Sequence, residues 1–269
     1  MSLQKDIKNK LSVIFKNVYN KVGYSFIDIR RIKALRASKI NSYPLFEKKI
    51  FFKDPFELLH SLSEIFIYEI YKIKLPPKPL IIDCGANIGI SVLYFKRAFP
   101  ASTVIAYEPD QENFKVLELN INSFNLNNVE LNNKAVWVEN TYLSFSNDSS
   151  MSSKIESENT ATATYKVEAT RLYDLINQPI DLLKIDIEGA EYKVLMDIES
   201  KLQFVQNIFF EYHGSFSQIH ELTNIFTVLT NNGFKYYIKE ATPVYQHPFM
   251  RTEKNALYDI QLNIFCFRK

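Results

Sequence analysis

The 269-residue chain has few of the features that mark secreted, membrane-spanning or nucleic-acid-binding proteins. Its two cysteines, Cys84 and Cys266, lie within apolar runs, which indicates small buried side chains in a reducing compartment rather than a disulfide framework. Lysines interrupt residues 1–20 and no later window is apolar enough for a membrane span, so we expect neither a signal peptide nor a transmembrane helix. A net charge of +2 gives no bulk attraction to nucleic acid. These absences predict a cytoplasmic protein that acts on a small molecule.

Glycine and proline are also scarce, with 6 and 10 residues, which leaves little room for flexible linkers. Because 46% of the residues are hydrophobic, a chain of this length is able to bury a full core. The clearest boundary is the proline-rich run Pro76-Pro77-Lys78-Pro79. We therefore predict an N-terminal helical extension over residues 1–78 and one catalytic domain over residues 79–269.

From residue 80 onward, apolar runs of strand length alternate with stretches that have helical spacing. The predicted strands cover residues 80–84, 103–108, 129–138, 181–186 and 206–212, and the predicted helices cover 88–98, 111–124, 189–202 and 216–231. The last two strands, 234–239 and 258–267, are expected to form an antiparallel edge. This alternation predicts a doubly wound α/β fold.

Two other segments are expected to shape the acceptor pocket. Residues 55–74 have apolar side chains at helical spacing and predict a helix before the proline run. Residues 144–164 are rich in Ser, Thr and Asn, with few apolar anchors. Two interpretations of this segment stay open: a loop over the site, or an irregular hairpin edge.

The segment most informative about function is Ile81–Ile90, a buried strand that leads directly into a glycine turn and a helix. Gly85 and Gly89 suit positions where φ is positive or where the backbone approaches a ligand, and the helix start offers N–H groups to a polar ligand. The pattern is D-x-G-x-N-x-G, and Asn87 stands where the dinucleotide fingerprint has its second glycine. A ligand with an amino acid tail, such as S-adenosylmethionine, therefore fits the loop and Asp83 better than NAD does.

A second acid strengthens this prediction. Thr103–Tyr107 is another apolar strand, and Glu108 follows it directly, about 20 residues after the glycine loop. An acid at the tip of the neighbouring strand is placed to accept hydrogen bonds from both ribose hydroxyls. Pro109 then ends the strand. Asp83 or Glu108 alone would be an ordinary strand-end carboxylate, but together with the glycines they indicate a cofactor site.

These segments, together with the K-x-D-x-E-G-x-E run at Lys184–Glu191, resemble the FkbM-type family of S-adenosylmethionine-dependent methyltransferases. The resemblance extends from Phe52 to the C-terminus. It implies a seven-stranded Rossmann-like sheet with helices on both faces and O-methylation of a hydroxyl on a sugar, glycolipid or polysaccharide precursor. The residues that we expect to bind S-adenosylmethionine are Asp83, Gly85, Ala86, Asn87, Gly89, Glu108, Pro109, Lys134, Ala135 and Asp186.

The acceptor side needs groups that align an oxygen with the activated methyl group and remove its proton. The catalytic candidates at the ends of the later strands are Asp186, Glu188, Glu211 and His213. Two mechanisms stay open. In the first, His213 or Asp186 is the general base. In the second, Asp186 and Glu211 bind Mg²⁺, which stabilises the developing alkoxide.

Basic residues surround an apolar stripe in the first 40 residues, which is typical of an amphipathic helix. The helix is expected either to pack on the domain or on a second subunit of a homo-oligomer, or to rest on an anionic membrane surface. The membrane interpretation places the enzyme at the inner face of the membrane, next to a lipid-linked glycan acceptor.

Other functions stay open as alternatives. An N- or carboxyl methyltransferase acting on a small metabolite would use the same fold with less help from a base. An NAD-dependent oxidoreductase would use a similar sheet, but Asn87 argues against it. An inactive cofactor-binding scaffold is a further alternative, against which the four catalytic candidates weigh.

Overall fold

A computed structural model of the chain describes residues 18–37, 39–146, 164–251 and 257–268. The strands are β1 (Asn41–Leu45), β2 (Lys48–Phe52), β3 (Leu80–Cys84), β4 (Thr103–Tyr107), β5 (Val129–Asn132), β6 (Ala135–Trp137), β7 (Thr141–Ser146), β8 (Thr164–Arg171), β9 (Leu182–Ile185), β10 (Asn207–Gly214), β11 (Lys235–Glu240) and β12 (Ile260–Phe267). The α-helices are α1 (Phe26–Lys33), α2 (Pro55–Leu62), α3 (Ile90–Ala98), α4 (Gln111–Ser123), α5 (Leu172–Leu175), α6 (Glu191–Asp197) and α7 (Ile219–Asn231). None of the described helices is long and apolar enough to cross a membrane.

Seven strands form the central sheet, in the order β11-β12-β10-β9-β3-β4-β5. The pairs β10–β9, β9–β3, β3–β4 and β4–β5 are parallel, whereas β12 is antiparallel to both of its neighbours. The predicted doubly wound fold and its antiparallel edge are confirmed. The order reverses between β3 and β9, so the carboxyl ends of β4, β3, β9 and β10 border one crevice, which is where such sheets bind ligands.

Buried apolar side chains cover both faces of this sheet. One cluster joins the N-terminal elements, α3 and α4, and includes Ile32, Leu58, Phe95 and Val116. The other joins α6, α7 and the later strands. Side chains from both sides of the predicted boundary at residue 78 share the first cluster, and the boundary itself stays a prediction.

The helix predicted over residues 55–74 is shorter in the structure. Asp54 caps it, since its carboxylate accepts the N–H groups of Phe56 and Glu57. After α2 the chain continues as a π-helical turn, Ser63–Ile67, and leaves the helix at Glu69, which has a φ of 51°. The prediction of a continuous helix to residue 74 was therefore wrong, because a residue in the left-handed region ends a right-handed helix.

The predicted strand 129–138 is two strands in two sheets. β5 is the outer strand of the central sheet, whereas β6 belongs to a three-stranded sheet of order β6-β8-β7. The ends of the predicted loop 144–164 lie in the antiparallel pair β7–β8, as the hairpin interpretation expected, and residues 147–163 lie outside the described residues.

The hairpin β1–β2 was not predicted. Its turn residues, Phe46 and Glu47, both have positive φ, 48° and 65°. Such turns usually contain Asn or Gly, so the sequence carries no local signal for this one. The basic N-terminal stretch is described from Val18 onward, where a 3-10 turn (Val18–Val22) precedes α1; residues 1–17 lie outside the described residues.

Candidate active site

The carboxyl end of β3 continues into the glycine loop. Gly85, Asn87 and Gly89 have φ values of 82°, 48° and 87°. A Cβ atom at Gly85 would lie 1.8 Å from the backbone oxygen of Asp186, and one at Gly89 would lie 2.5 Å from Leu117 Cδ1. At Gly85 the obstacle is backbone, so the packing of the loop against the end of β9 requires glycine there. At Gly89 the obstacle is the end of a flexible side chain, and the positive φ is the main reason for glycine.

Glu108 lies at the carboxyl end of β4 and is 5% exposed. Its Oε2 atom accepts the N–H of Asn87 at 2.8 Å, and its Oε1 atom accepts the N–H of Asp110 at 2.9 Å. Burial raises the pKa of Glu108 to about 7, against the lowering effect of these two hydrogen bonds. Because a carboxylate has about four acceptor sites, Glu108 is still able to accept hydrogen bonds from the hydroxyls of a ligand.

An open cleft lies over the ends of β3, β4 and β9. The predicted site residues along its walls are Gly85, Asn87, Glu108, Pro109, Lys134, Ala135, Asp186 and Glu188. Other lining residues were not predicted, among them Asp110 and Asn113 at the start of α4. Asp110 Oδ1 accepts the N–H of Asn113, and an Asp directly before a helical pattern is a signal that sequence analysis could have used.

Asp83 is fully buried beneath the loop. Its Oδ1 atom lies 3.0 Å from Lys184 Nζ, and Ser91 Oγ donates a hydrogen bond to its Oδ2 atom at 2.5 Å. Lys184 Nζ also donates to the backbone oxygen of Gly85 at 2.9 Å. Burial alone would lower the pKa of Lys184, but the charge of Asp83 contributes to an opposite and larger effect, so the pKa is raised. Asp83 therefore fixes a charged lysine under the loop, and its predicted contact with a cofactor stays a prediction.

A second cavity lies on the other side of the glycine loop and shares Gly85, Asn87 and Asp186 with the cleft. It is bordered by the loop, the π-helical turn and residues of β9, β10 and β12. Ala86 and Glu211, both predicted site residues, line this cavity rather than the cleft.

Acidic groups surround His213, which lies near the end of β10 and is 6% exposed. His213 Nδ1 donates to Glu191 Oε1 at 3.2 Å. His213 Nε2 lies 3.4 Å from Glu211 Oε1 and 3.6 Å from Glu188 Oε2. The carboxylate of Glu191 also accepts backbone N–H groups from the loop that follows β9. The structure thus brings three predicted catalytic residues together and adds Glu191, which sequence analysis missed.

This arrangement shifts two pKa values strongly. Burial alone would lower the pKa of His213, but hydrogen bonds to Glu191 and Glu211 and the charges of nearby carboxylates raise it well above its usual value. Burial raises the pKa of Glu188 to about 8, although His213 opposes this shift. The geometry therefore favours a protonated imidazole among the carboxylates at neutral pH.

Tyr258 completes the enclosure of His213. Its hydroxyl donates to the backbone oxygen of Glu188 at 2.7 Å, and its ring centroid lies 4.9 Å from that of His213. Glu188 has a φ of 57°, an uncommon value for a residue with a side chain. The tyrosine hydrogen bond helps to hold this conformation, which keeps the Glu188 side chain at the cleft.

Three side chains are placed so that they could hold a metal ion. Among the described residues, single ligand atoms of Asp186, Glu188 and His213 all lie within 4.8 Å of one another. Glu211 is not part of this group, and the predicted pair of Asp186 and Glu211 stays a prediction. Two carboxylates and an imidazole suit a divalent cation such as Mn²⁺ or Mg²⁺.

Comparison with known proteins agrees with this architecture. A family model described as the methyltransferase FkbM domain matches residues 83–236, more than half of the chain. The chain belongs to the FkbM methyltransferase family. This membership confirms the resemblance found in the sequence and the expectation of a methyltransferase.

Curated methyltransferases and one solved structure add to this result. The chain is 28% identical over 171 residues to Methyltransferase 1 of Beauveria bassiana, covering 54% of this chain and 68% of the relative. It is 32% identical over 190 residues to Methyltransferase sdnD of Sordaria araneosa, covering 55% of this chain and 72% of the relative. The crystal structure of methyltransferase FkbM from Methylobacillus flagellatus has a TM-score of 0.51 at 14% identity and covers 77% of this chain. This chain spans about half of that protein, 48% of its length, and the likeness shows a shared fold.

The FkbM domain match runs from β3 to β11 and contains both Glu108 and the group around His213. Tyr258, which donates to the backbone of Glu188, and the π-helical turn, which lines the second cavity, both lie outside the matched residues. Parts of the site of this FkbM methyltransferase therefore come from segments that the family model does not cover.

Proposed function

We propose that this chain transfers a methyl group from S-adenosylmethionine to a hydroxyl oxygen of a sugar, glycolipid or polysaccharide precursor. The observation that carries the proposal is one cleft whose walls hold Glu108 and also Asp186 and Glu188. Glu108 suits the two hydroxyls of a ribose, and the other carboxylates suit a group that must lose a proton.

The cleft residues fit the methyl donor. Glu108 has acceptor capacity left beside its two backbone hydrogen bonds, as a ribose requires. Lys134, Ala135 and Val136 form a wall that would lie against the adenine. When bound, S-adenosylmethionine supplies a methyl carbon whose bond to sulfur breaks as the acceptor oxygen attacks it. The task of the protein is to align that oxygen and take its proton.

The proton acceptor in this proposal is Glu188 or Asp186. Both carboxylates line the cleft, and the raised pKa of Glu188, about 8, makes it a stronger base than an ordinary carboxylate once it is ionised. A protonated His213 accepts no further proton, so it acts as a positioning residue that offsets the charge of its carboxylate neighbours. The prediction that His213 is itself the base stays in competition, and it would require a neutral imidazole.

A direct binding experiment tests the proposal. Calorimetric titration with S-adenosylhomocysteine should show micromolar affinity that Glu108→Ala weakens strongly, because the ribose loses its acceptor. Glu118→Ala, an exposed acid on α4, is the matched control and should leave binding unchanged. Parallel titration with NAD should show no binding. Binding of NAD alone would overturn the proposal, and binding of neither ligand would favour the scaffold alternative.

The metal-assisted mechanism is a second candidate because Asp186, Glu188 and His213 offer ligand atoms within 4.8 Å of one another. A bound divalent cation would stabilise the alkoxide and lower the pKa of the acceptor hydroxyl. Activity that is lost in EDTA and restored by Mg²⁺ would support this mechanism, whereas full activity in EDTA would contradict it.

A lipid-linked acceptor is part of the proposal for a cytoplasmic enzyme at the membrane surface. Helix α1 exposes Phe26 and Ile27, 50% and 60%, beside the exposed Arg30 and Lys33. Apolar and basic groups on one helix suit an anionic lipid surface. Sedimentation with phosphatidylglycerol vesicles should fall in Arg30→Glu/Lys33→Glu, and equal sedimentation of this variant and the unaltered chain would remove the membrane contact.

A further inference from the structure

The two outer strands of the central sheet differ in how far they are covered. β5 has four residues, of which only Glu130 is exposed. β11 has six residues, and all of them are exposed. No strand of the described residues pairs with the outer side of β11. An unpaired strand edge is a template for pairing with another strand, so β11 is the open edge of this sheet.

Three large side chains follow one another along this open edge. Tyr236, Tyr237 and Ile238 are 40%, 64% and 38% exposed. The Tyr236 ring stacks on Phe226 of α7 with the ring centroids 4.4 Å apart, and the Tyr237 ring centroid lies 6.3 Å from that of Phe265 on β12. These contacts hold the two rings on the sheet and leave much of their apolar surface uncovered. Such a run on an open edge indicates a surface that a partner covers.

The hydrogen bonds to β12 determine which backbone groups of β11 face outward. The N–H of Ala241 donates to the backbone oxygen of Gln261 at 3.1 Å, directly after the last pair of the ladder. In an antiparallel ladder, hydrogen-bonded pairs alternate with pairs that are not hydrogen-bonded, so every second residue of β11 directs its N–H and C=O groups away from β12. The residues with outward backbone groups are Tyr236, Ile238 and Glu240.

Two copies of β11 are complementary to each other in an antiparallel arrangement. A two-fold axis at Ile238 sets Ile238 opposite its own copy, Tyr237 opposite Lys239, and Tyr236 opposite Glu240. The first pair is apolar, the second sets a cation opposite an aromatic ring, and the third sets a hydroxyl donor opposite a carboxylate. All three pairs are therefore favourable.

The two lysines of β11 disfavour the neighbouring registers. A two-fold axis at Tyr237 would set Lys235 opposite Lys239, and an axis at Lys239 would set this lysine opposite its own copy. Like charges directly opposite each other are destabilising. Lysines often protect an edge strand from pairing, but here they favour one register over its neighbours.

We propose that the open edge of β11 is an interaction surface for a second copy of this chain, which pairs through its own β11 about a two-fold axis at Ile238. The pairing joins the two seven-stranded sheets into one and satisfies the outward backbone groups of the strand. A single pair of short strands buries less than the roughly 1,600 Å² of a standard interface. The dimer is therefore weak, with a Kd in about the micromolar range.

The first experiment measures the oligomeric state of the full chain by sedimentation equilibrium between about 1 and 200 µM. The unaltered chain should pass from monomer to dimer in this range. Ile238→Lys sets two ammonium groups opposite each other and should raise the Kd of the dimer at least about tenfold. Leu119→Lys is the matched control, because Leu119 on α4 is also 38% exposed and gains the same charge. Thermal unfolding checks that both variants are folded.

Two results of this experiment would overturn the proposal. A monomer at every concentration would leave the open edge of β11 to a strand of a different protein. Equal Kd values for Ile238→Lys and Leu119→Lys would show that the dimer forms through another surface.

The second experiment tests the register by disulfide cross-linking of the full chain. At the proposed axis, the two copies of residue 238 have Cα atoms about 5.5 Å apart, within the range of about 4.4–6.8 Å that a disulfide spans. Ile238→Cys should therefore give a covalent dimer under mild oxidation. The two copies of residue 235 lie about 20 Å apart in the same register, so Lys235→Cys should give none. Cys84 and Cys266 are buried, and the unaltered chain provides their background. Equal cross-linking of the two variants would overturn the register.

Discussion

The two sides of the crevice differ in how their polar groups are satisfied. On the side of β3 and β4, Glu108 accepts two backbone N–H groups, and Asp83 is paired with Lys184 and Ser91. On the side of β9 and β10, three carboxylates, those of Glu188, Glu191 and Glu211, lie near a single imidazole and shift its pKa. The first side is fixed by its own hydrogen bonds and ion pair. On the second side, the carboxylates outnumber the one imidazole, so negative charge is only partly compensated. A preformed surface suits recognition of a ligand, and groups with shifted pKa values suit proton transfer.

The strongest test of this difference is removal of charge on the β9 side. Asp186→Asn or Glu188→Gln, whichever of the two removes the general base, should reduce kcat by about 100- to 10,000-fold. Affinity for S-adenosylhomocysteine should stay within a few fold, because the Glu108 side is unchanged. Single-turnover kinetics and calorimetry measure the two quantities. Wild-type rates in both variants would show that neither carboxylate takes part in the reaction.

The same substitutions also separate the competing bases. If Glu188 is the base, the activity of the unaltered chain rises as pH increases through about 8, the pKa of Glu188, because only the ionised carboxylate accepts a proton. His213→Gln should lower kcat without removing this rise entirely. A pH profile that becomes flat in His213→Gln but not in Glu188→Gln would favour the imidazole.

Under the glycine loop, Lys184→Met should be the most destabilising change. It leaves the fully buried Asp83 without its cation, and breaking a buried ion pair from one side costs about 3–5 kcal/mol. Urea unfolding measures the loss. Lys235→Met, an exposed lysine on β11, is the control and should cost less than about 0.5 kcal/mol. Equal stability of the two variants would mean that the ion pair does not hold the loop.

Substitution of two glycines by alanine tests how tightly the glycine loop packs against β9. Gly85 and Gly23 have similar φ values, 82° and 78°, so both substitutions cost about 1–2 kcal/mol of backbone strain. At Gly85 the added Cβ atom would lie 1.8 Å from the backbone oxygen of Asp186. At Gly23 no atom lies within 4 Å of the added Cβ atom. Gly85→Ala should therefore be less stable than Gly23→Ala by more than about 1 kcal/mol in urea unfolding. Equal losses would show that the loop is free to shift away from β9.

The pH dependence of stability tests the buried acid on the β4 side. Burial raises the pKa of Glu108 to about 7 in the folded protein, above its usual value of about 4.5. The folded state then binds more protons than the unfolded state between these two values, so the contribution of Glu108 to stability falls as pH rises from about 4.5 to 7. Glu108→Gln should remove this part of the pH dependence. Urea unfolding of the unaltered chain and of Glu108→Gln at pH 5 and pH 8 measures this effect. If the free energy of unfolding changes by the same amount in both proteins between these pH values, the prediction is contradicted.

Much of the side formed by β3 and β4 could be predicted from the sequence, because its signals are local. The strand, the glycines, Asn87 and Glu108 stand in order along the chain, and each has a conformational or chemical reason at its own position. The β1–β2 turn gave no such signal, because Phe46 and Glu47 adopt positive φ without Asn or Gly. Glu191 stands at the start of a helix, where an acid is common because of the helix dipole, so only its contact with His213 reveals its role in the site.

The sequence by itself determined the family, the doubly wound alternation and the positions of the strand ends, since these depend on periodicity and on residues close together in the chain. The tertiary structure alone decided which groups share charge. It pairs Asp83 with Lys184, encloses His213 between acids and Tyr258, and brings Asn263 and the glycine loop to one cavity. The reason is that burial and charge interactions depend on distance in space and on exclusion of water, which residues far apart in the chain acquire only when the sheet brings their strands together.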